Sequence, residues 1–224
     1  MTQSTTTPPE DRLDFKRVLP VFIIVFVDIL GLTVIIPLLH LYAASFGANA
    51  FLIGVVATAY PLMQFVGGPL LGGLSDRYGR KPILFISQIG TFIGFLVLGF
   101  ANSLWMILLA RIIDGISGAN IAAAQAALTD VTSEKTRAQG LGLIGAAFGL
   151  GFIIGPIIAL LVLLVSNNNY ALVAFVAAGF SLISLTLTLF KFDETLPPEK
   201  RAAVTKQSMN PFTNIRRALG KPQL

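Results

Sequence analysis

Residues 18–42 read VLPVFIIVFVDILGLTVIIPLLHLY, with Asp28 the only formally charged side chain among 25 positions. About 20 consecutive apolar residues are enough for a helix to cross the hydrocarbon core of a bilayer. A soluble domain rarely has an apolar run of this length with so few charges. The stretch therefore predicts a transmembrane helix.

Five further apolar stretches of similar length follow, separated by short connections. Apolar residues make up 54% of the 224 residues and charged residues 12%, about half the charged fraction of a soluble domain. We therefore predict an all-α membrane protein with six transmembrane helices between residues 18 and 191, flanked by a cytoplasmic N-terminal segment (1–17) and a cytoplasmic segment at 192–224. The six predicted helices cover residues 18–42, 51–71, 83–100, 104–127, 141–165 and 171–190.

The basic residues alternate between connections. Lysines and arginines lie before the first predicted helix, after the second, after the fourth and after the sixth, whereas connections 43–50, 101–103 and 166–169 contain none. Cytoplasmic loops carry the excess of Lys and Arg, so both termini are expected in the cytoplasm of a cell-membrane protein. The net charge of +5 then reports topology, and no nucleic-acid partner is predicted.

An internal repeat is suggested by two Gly-Pro segments. Gly68-Pro69-Leu70-Leu71-Gly72 lies in the second predicted helix and Gly155-Pro156-Ile157-Ile158-Ala159 in the fifth. Each is the second helix of a triplet, and units of three spans are inverted relative to each other in the membrane. The sequence predicts two inverted three-helix repeats, although two Gly-Pro segments can also be similar by chance.

Ionisable residues inside predicted helices are the first candidates for function. Asp28 is ten residues into the first helix, roughly 15 Å deep and near the bilayer midplane. Intramembrane ionisable groups usually mark substrate or proton pathways, although Asp28 can also serve as a structural hydrogen-bond acceptor. Arg111 and Asp114 lie three residues apart on one helix face, so a mutually neutralising pair is expected.

The two acids, Asp28 and Asp114, are expected to differ in charge. Arg111 should hold Asp114 ionised, whereas an unpaired Asp28 favours its protonated form. Asp28 is therefore the better proton carrier, with Arg111 as a counter-charge if the helices are adjacent. Ser117 and Asn120 continue the polar face and are predicted either to contact substrate or to bond across helices.

Two motifs carry a family resemblance. The string Gly72-Gly73-Leu74-Ser75-Asp76-Arg77-Tyr78-Gly79-Arg80-Lys81-Pro82 is predicted to be a tight cytoplasmic turn between helices two and three. It resembles the signature of the major facilitator superfamily, with matches at Gly72, Leu74, Asp76, Arg77, Gly79, Arg80 and Lys81. The segment with Gly151, Gly155 and Pro156 resembles the fifth-helix motif of drug:proton antiporters in that superfamily.

The resemblance implies a transporter of the tetracycline-resistance or multidrug-exporter type. It implies that helices one and four line a cavity, that Asp76, Arg80 and Asp130 form a cytoplasmic gate, and that Arg111 supports proton coupling. The Gly-Pro helix five would face a second half of the molecule. Ala159 and Leu160 replace two glycines of the antiporter motif. Gly94 stands where tetracycline exporters carry an acid, so tetracycline itself is not the expected substrate.

The superfamily has twelve helices and this chain predicts six. We expect the N-terminal half of a larger transporter, and a half-size transporter that forms a homodimer or a non-transporting scaffold is the alternative. Expected partners are protons, a small hydrophobic molecule, the bilayer, and either the missing six-helix half or a second copy.

No enzyme, cofactor or metal site is predicted. The chain has no cysteine and a single histidine, His40. Gly115-Ile116-Ser117-Gly118 resembles a rhomboid-protease nucleophile motif, but the histidine that would activate this serine from the sixth helix is missing.

Overall fold

The computed structural model describes residues 13–118 and 120–201, with only the backbone of Lys200, and these residues form helices without any strand. The helices are α1 (Phe15–Ile35), α2 (Leu39–Ser45), α3 (Ala50–Tyr78), α4 (Arg80–Gly99), α5 (Leu104–Ser117), α6 (Asn120–Val131), α7 (Arg137–Val165) and α8 (Tyr170–Lys191), followed by a 3₁₀ turn (Pro198–Lys200). Residues 210–219, for which the sequence also predicts a short surface helix, lie outside the described residues, as do residues 1–12 and Ala119.

Six helical stretches are long and apolar enough to cross a membrane, as predicted. They are α1, α3, α4, the fourth span made of α5 and α6 (Leu104–Val131), α7 and α8. The all-α prediction and the number of spans are therefore confirmed.

Two predicted helix ends are wrong by seven residues, and the other predicted boundaries lie within four residues of those observed. The first helix ends at Ile35 and not at residue 42, because Pro37 lacks the N–H that would continue the helical ladder and its ring crowds the preceding turn. The second helix runs to Tyr78, seven residues beyond the predicted end at Leu71, so most of the motif expected in a turn is helical. Only Gly79 forms the turn, with φ of +108°, a region that favours glycine.

The packing of the spans repeats between the two triplets. Span one (α1) packs on spans five and six (α7 and α8), and span four (α5) packs on spans two and three (α3 and α4). Spans three and six (α4 and α8) pack on each other. Exchanging the first three spans with the last three reproduces these pairings, which is the pattern expected of two inverted repeats.

Buried side chains form two apolar clusters and a layer of polar groups. One cluster includes Val34, Phe95 and Ala177, and the other includes Val21 and Leu128. The polar groups come from α4 and α8 as well as from spans one and four. Gln88 Nε2 donates to Ser184 Oγ at 2.7 Å, and Ser184 Oγ donates to the Ile24 carbonyl at 3.1 Å. Ile24 and Gln88 line a small cavity together with Asp28, so this polar layer adjoins the candidate site.

Candidate functional site

Asp28 and Asn120 meet across spans one and four. Asn120 Nδ2 donates to Asp28 Oδ2 at 2.7 Å, and Asn120 is 3% exposed. The second oxygen, Asp28 Oδ1, is buried and has no hydrogen-bond partner among the described residues. A buried carboxylate oxygen without a donor is costly in a low-dielectric environment. Among the described residues, Asp28 is therefore held through only one of its two carboxyl oxygens.

Arg111 and Asp114 form the expected ion pair on α5. Arg111 Nη1 lies 2.8 Å from Asp114 Oδ2, and each side chain is 3% exposed. The Arg111 guanidinium carbon also lies 4.5 Å from the centre of the Tyr60 ring on α3, within the range of a cation–π contact. Arg111 is thus held from two sides.

Tyr60 and Gln64 belong to the site, although the sequence analysis did not select them. Gln64 Nε2 donates to the Gly118 carbonyl at 2.9 Å and to Tyr60 Oη at 3.2 Å. Both side chains thereby brace the end of α5 from α3. Their spacing of four residues on an otherwise apolar span was the available signal.

A small cavity of about 10 Å³ connects the two acids. Its lining includes Asp28, Tyr60, Thr91, Asp114 and Asn120. This volume is close to the smallest that holds one water molecule. The structure therefore brings Asp28, Asp114 and Asn120 to one site, with Arg111 bound to its edge through Asp114.

Ser117 does not join this cavity. A Cβ atom built on Gly90 of α4 would lie 2.7 Å from Ser117 Cβ and even closer to its hydroxyl group. Ser117 therefore packs against Gly90, and its role in contacting substrate or bonding across helices stays a prediction. Helix spacing gave its approximate direction but could not show which neighbour it meets.

A second polar cluster lies at the end of the bundle where α8 ends. Arg80 Nη1 lies 2.6 Å from Asp76 Oδ1 and donates to Ser75 Oγ at 3.0 Å, while Arg80 Nε donates to Asp130 Oδ2 at 2.9 Å. Arg80 is only 6% exposed. The structure thus brings together Asp76, Arg80 and Asp130, named here the Arg80 cluster.

Comparison with known proteins places these motifs in a family. The sequence model described as Major Facilitator Superfamily matches residues 21–224. The chain belongs to the major facilitator superfamily. It is 37% identical over 176 residues to the class B tetracycline resistance protein of Escherichia coli, covering 77% of this chain and 43% of that protein. It is 38% identical over 193 residues to the class H protein of Pasteurella multocida, covering 84% of this chain and 46% of the relative.

A solved structure agrees with the fold. The human organic anion transporter MFSD10 (TETRAN) superimposes with a TM-score of 0.78 at 26% identity, over 94% of this chain and 56% of that one. The chain therefore spans less than half the length of the two tetracycline resistance proteins and just over half of MFSD10. It corresponds to six helices of a major facilitator fold.

The other residues of the superfamily turn motif lie around the Arg80 cluster rather than in it. Arg77 is exposed, with its guanidinium 5.1 Å from the Tyr78 ring centre, and Leu74 is half-buried. A Cβ atom on Gly72 would meet nothing within 4 Å among the described residues. The Lys81 backbone N–H donates to Glu194 Oε2 at 3.3 Å.

The superfamily's fifth-helix motif packs within this half. A Cβ atom on Gly151 would lie 2.6 Å from Ile29 Cγ2, and one on Gly155 would lie 2.8 Å from the Thr33 carbonyl carbon. These two glycines therefore let α7 approach α1 closely. Helix α7 continues through Pro156 without a break. Cβ atoms on Gly145 and Gly149 would meet nothing within 4 Å among the described residues, so their side of α7 is open to another partner.

Gly94 supports the Arg111–Asp114 pair by leaving room for it. A Cβ atom on Gly94 would lie 2.9 Å from Asp114 Cβ and 3.1 Å from its backbone nitrogen. Such distances require the two helices to separate. The close packing of α4 on α5 therefore requires glycine at position 94.

Replacing Gly94 with alanine is expected to lower the free energy of unfolding by about 1–3 kcal/mol, because the added methyl group overpacks the α4–α5 contact. Thermal unfolding of the detergent-solubilised full-length protein measures the change. Gly179→Ala is the matched control, since a Cβ there meets nothing within 4 Å among the described residues. Equal unfolding temperatures for the two variants would contradict the expected steric conflict.

Proposed function

We propose that this chain is the N-terminal six-helix half of a secondary transporter that exports small hydrophobic molecules in exchange for protons by alternating access. The observation that carries the proposal is Asp28, placed midway along span one with one oxygen held by Asn120 and the other buried without a partner. Protonation of a carboxyl group in this position removes a charge from a buried environment. An acidic residue inside a membrane is energetically unfavourable, and such residues usually mark substrate or proton pathways.

The neighbouring ion pair supports a division of roles between the acids. Arg111 already neutralises Asp114 at 2.8 Å, whereas Asp28 has an amide as its polar partner. Asp28 is therefore the proton carrier in the proposal, and Arg111 is the nearby positive charge that competes with the proton. Binding of substrate and binding of the proton then oppose each other within the same half.

The substrate class follows from an apolar groove on the same half. The groove lies between α3 and α5, has a volume of about 630 Å³ and is lined by side chains that include Phe51, Val55, Leu62, Leu108 and Ile112. Ligand sites for drug-sized molecules have such volumes and a mostly apolar lining. The tetracycline resistance relatives favour export as the direction, while Gly94 argues for a substrate other than tetracycline.

The remaining parts of the proposal concern the gate and the membrane. Asp76, Arg80 and Asp130 form the cytoplasmic gate of one half, and the second half or a second copy supplies the opposite wall of the cavity. The alternation of basic connections supports cytoplasmic termini in the cell membrane.

The test is substrate-induced proton movement in everted membrane vesicles that contain the full-length protein. A hydrophobic cation such as ethidium is added after the interior of the vesicles has been acidified. A pH-sensitive dye reports the pH difference across the membrane. Proton release that saturates with ethidium and is absent from vesicles without the protein is the expected result. Ethidium and other hydrophobic probes that neither move nor bind would contradict transport and favour the scaffold. A functional native protein of 23.9 kDa would favour the homodimer.

A further inference from the structure

The segment that follows span six folds back on the Arg80 cluster. We name residues 192–196 the exit strap. Its two ends are anchored by apolar side chains, since Phe192 is 2% exposed and Leu196 is 6% exposed. The strap is therefore a packed element rather than a free connection.

Glu194 binds the turn between spans two and three. Its Oε1 atom accepts the Arg80 backbone N–H at 2.8 Å, and Oε2 accepts the Lys81 N–H at 3.3 Å. These are first-turn N–H groups of α4 that have no partner within the helix. A Cβ atom on Gly79 would lie 2.9 Å from Glu194 Cδ, so the turn leaves room for this carboxylate.

Thr195 binds the other side of the same cluster. Its Oγ1 atom donates to Asp130 Oδ2 at 3.3 Å, and this is the oxygen that also accepts Arg80 Nε. The strap thus holds the backbone of Arg80 through one residue and the acid partner of Arg80 through the next.

We propose that Glu194 and Thr195 are positioning residues of the cytoplasmic gate, and that the exit strap must release the turn when the gate opens. The inference rests on the proposed function, in which the Arg80 cluster is that gate. Separating Arg80 from Asp130 moves groups that the strap holds in place. The strap leads directly to Arg201, whose Nη2 lies 3.9 Å from Glu194 Oε2. The gate is therefore coupled to the connection that follows span six.

The experiment measures how accessible the cavity is from the cytoplasmic side. This chain has no cysteine, so Ile121→Cys on α6, at a position that lines the cavity with Asp28 and Asp114, gives a single reporter once any cysteines elsewhere in the full-length protein are replaced. The rate of reaction with a membrane-impermeant maleimide is measured in everted vesicles. Glu194→Gln and Thr195→Val are each expected to raise this rate about fivefold, as loss of one helix-capping interaction would.

Asp193→Asn is the matched control, because it removes the same charge from the adjacent, exposed position. It is expected to leave the labelling rate unchanged. Unfolding temperatures are measured in parallel, and the nearly isosteric Thr195→Val keeps the test valid if Glu194→Gln is poorly folded. A merely structural role would lower the unfolding temperature without changing the labelling rate of folded protein.

Arg80→Ala distinguishes two claims, that the Arg80 cluster is the gate and that the exit strap positions it. Faster labelling of Arg80→Ala, with unchanged rates for folded Glu194→Gln and Thr195→Val, would overturn the strap while keeping the gate. Unchanged labelling of Arg80→Ala would overturn the gate and the strap together. Faster labelling of all three variants, with Asp193→Asn unchanged, supports the inference.

Discussion

Asp28→Asn in the full-length protein is expected to reduce pH-dependent transport to the level of vesicles that lack the protein. The amide has nearly the same shape, and its oxygen can still accept the hydrogen bond that Asn120 donates to Asp28 at 2.7 Å. It cannot bind and release a proton in the relevant pH range. Substrate binding should therefore survive while its coupling to protons is lost. Transport at several pH values, together with equilibrium substrate binding, measures the two effects separately.

Asp28→Glu is the companion variant, because it keeps a titratable carboxyl group in the same helix. It should retain pH dependence, with reduced rates caused by the longer side chain in a cavity of about 10 Å³. Full proton coupling in Asp28→Asn would remove Asp28 from the mechanism. Loss of folding in Asp28→Asn would instead indicate that the main role of the Asp28 carboxyl group is structural.

Arg111→Gln is expected to lower the free energy of unfolding by about 3–5 kcal/mol. It leaves the Asp114 carboxylate, whose side chain is 3% exposed, without its counter-charge. It also removes the guanidinium that lies over the Tyr60 ring. Thermal or denaturant unfolding in detergent measures the loss.

The double variant Arg111→Gln/Asp114→Asn tests the cause of that loss. Two neutral amide side chains remove the unpaired buried charge, so the double variant should be more stable than Arg111→Gln alone. Additive losses from the two single variants would show that the ion pair contributes little. Transport by the stable double variant then reports whether Arg111 is needed for coupling as well as for folding.

The number of spans could be predicted because it depends on the length and polarity of each stretch. The end of span two could not. Gly72, Gly73 and the charged residues after them indicate a loop in water, yet α3 continues to Tyr78. Burial of Ser75 and the Asp76–Arg80 ion pair, which crosses the Gly79 turn to α4, stabilise this last helical section. Tertiary contacts thus override local propensity at this boundary.

The charged members of the site could be predicted because charges are rare inside membranes. Which residues they bind could not be predicted, because the partners are distant in sequence. Asn120 is 92 residues from Asp28, and Glu194 is 114 residues from Arg80. Ser117 could not be placed either. Helix spacing puts it near the site, but Gly90 on α4 has no side chain and so leaves room for Ser117 to pack there. Only the packing of α4 against α5 decides where it lies.

The helix cap provided by Glu194 also has a consequence for the order of assembly during synthesis. Chains are made from the N-terminus, so α4 is complete long before its capping carboxylate leaves the ribosome. Until then the N–H groups of Arg80 and Lys81 depend on water at the membrane surface. The turn after span two reaches its final form only when span six has been inserted. The start of the third span is therefore expected to be completed by a residue that follows the last of the six.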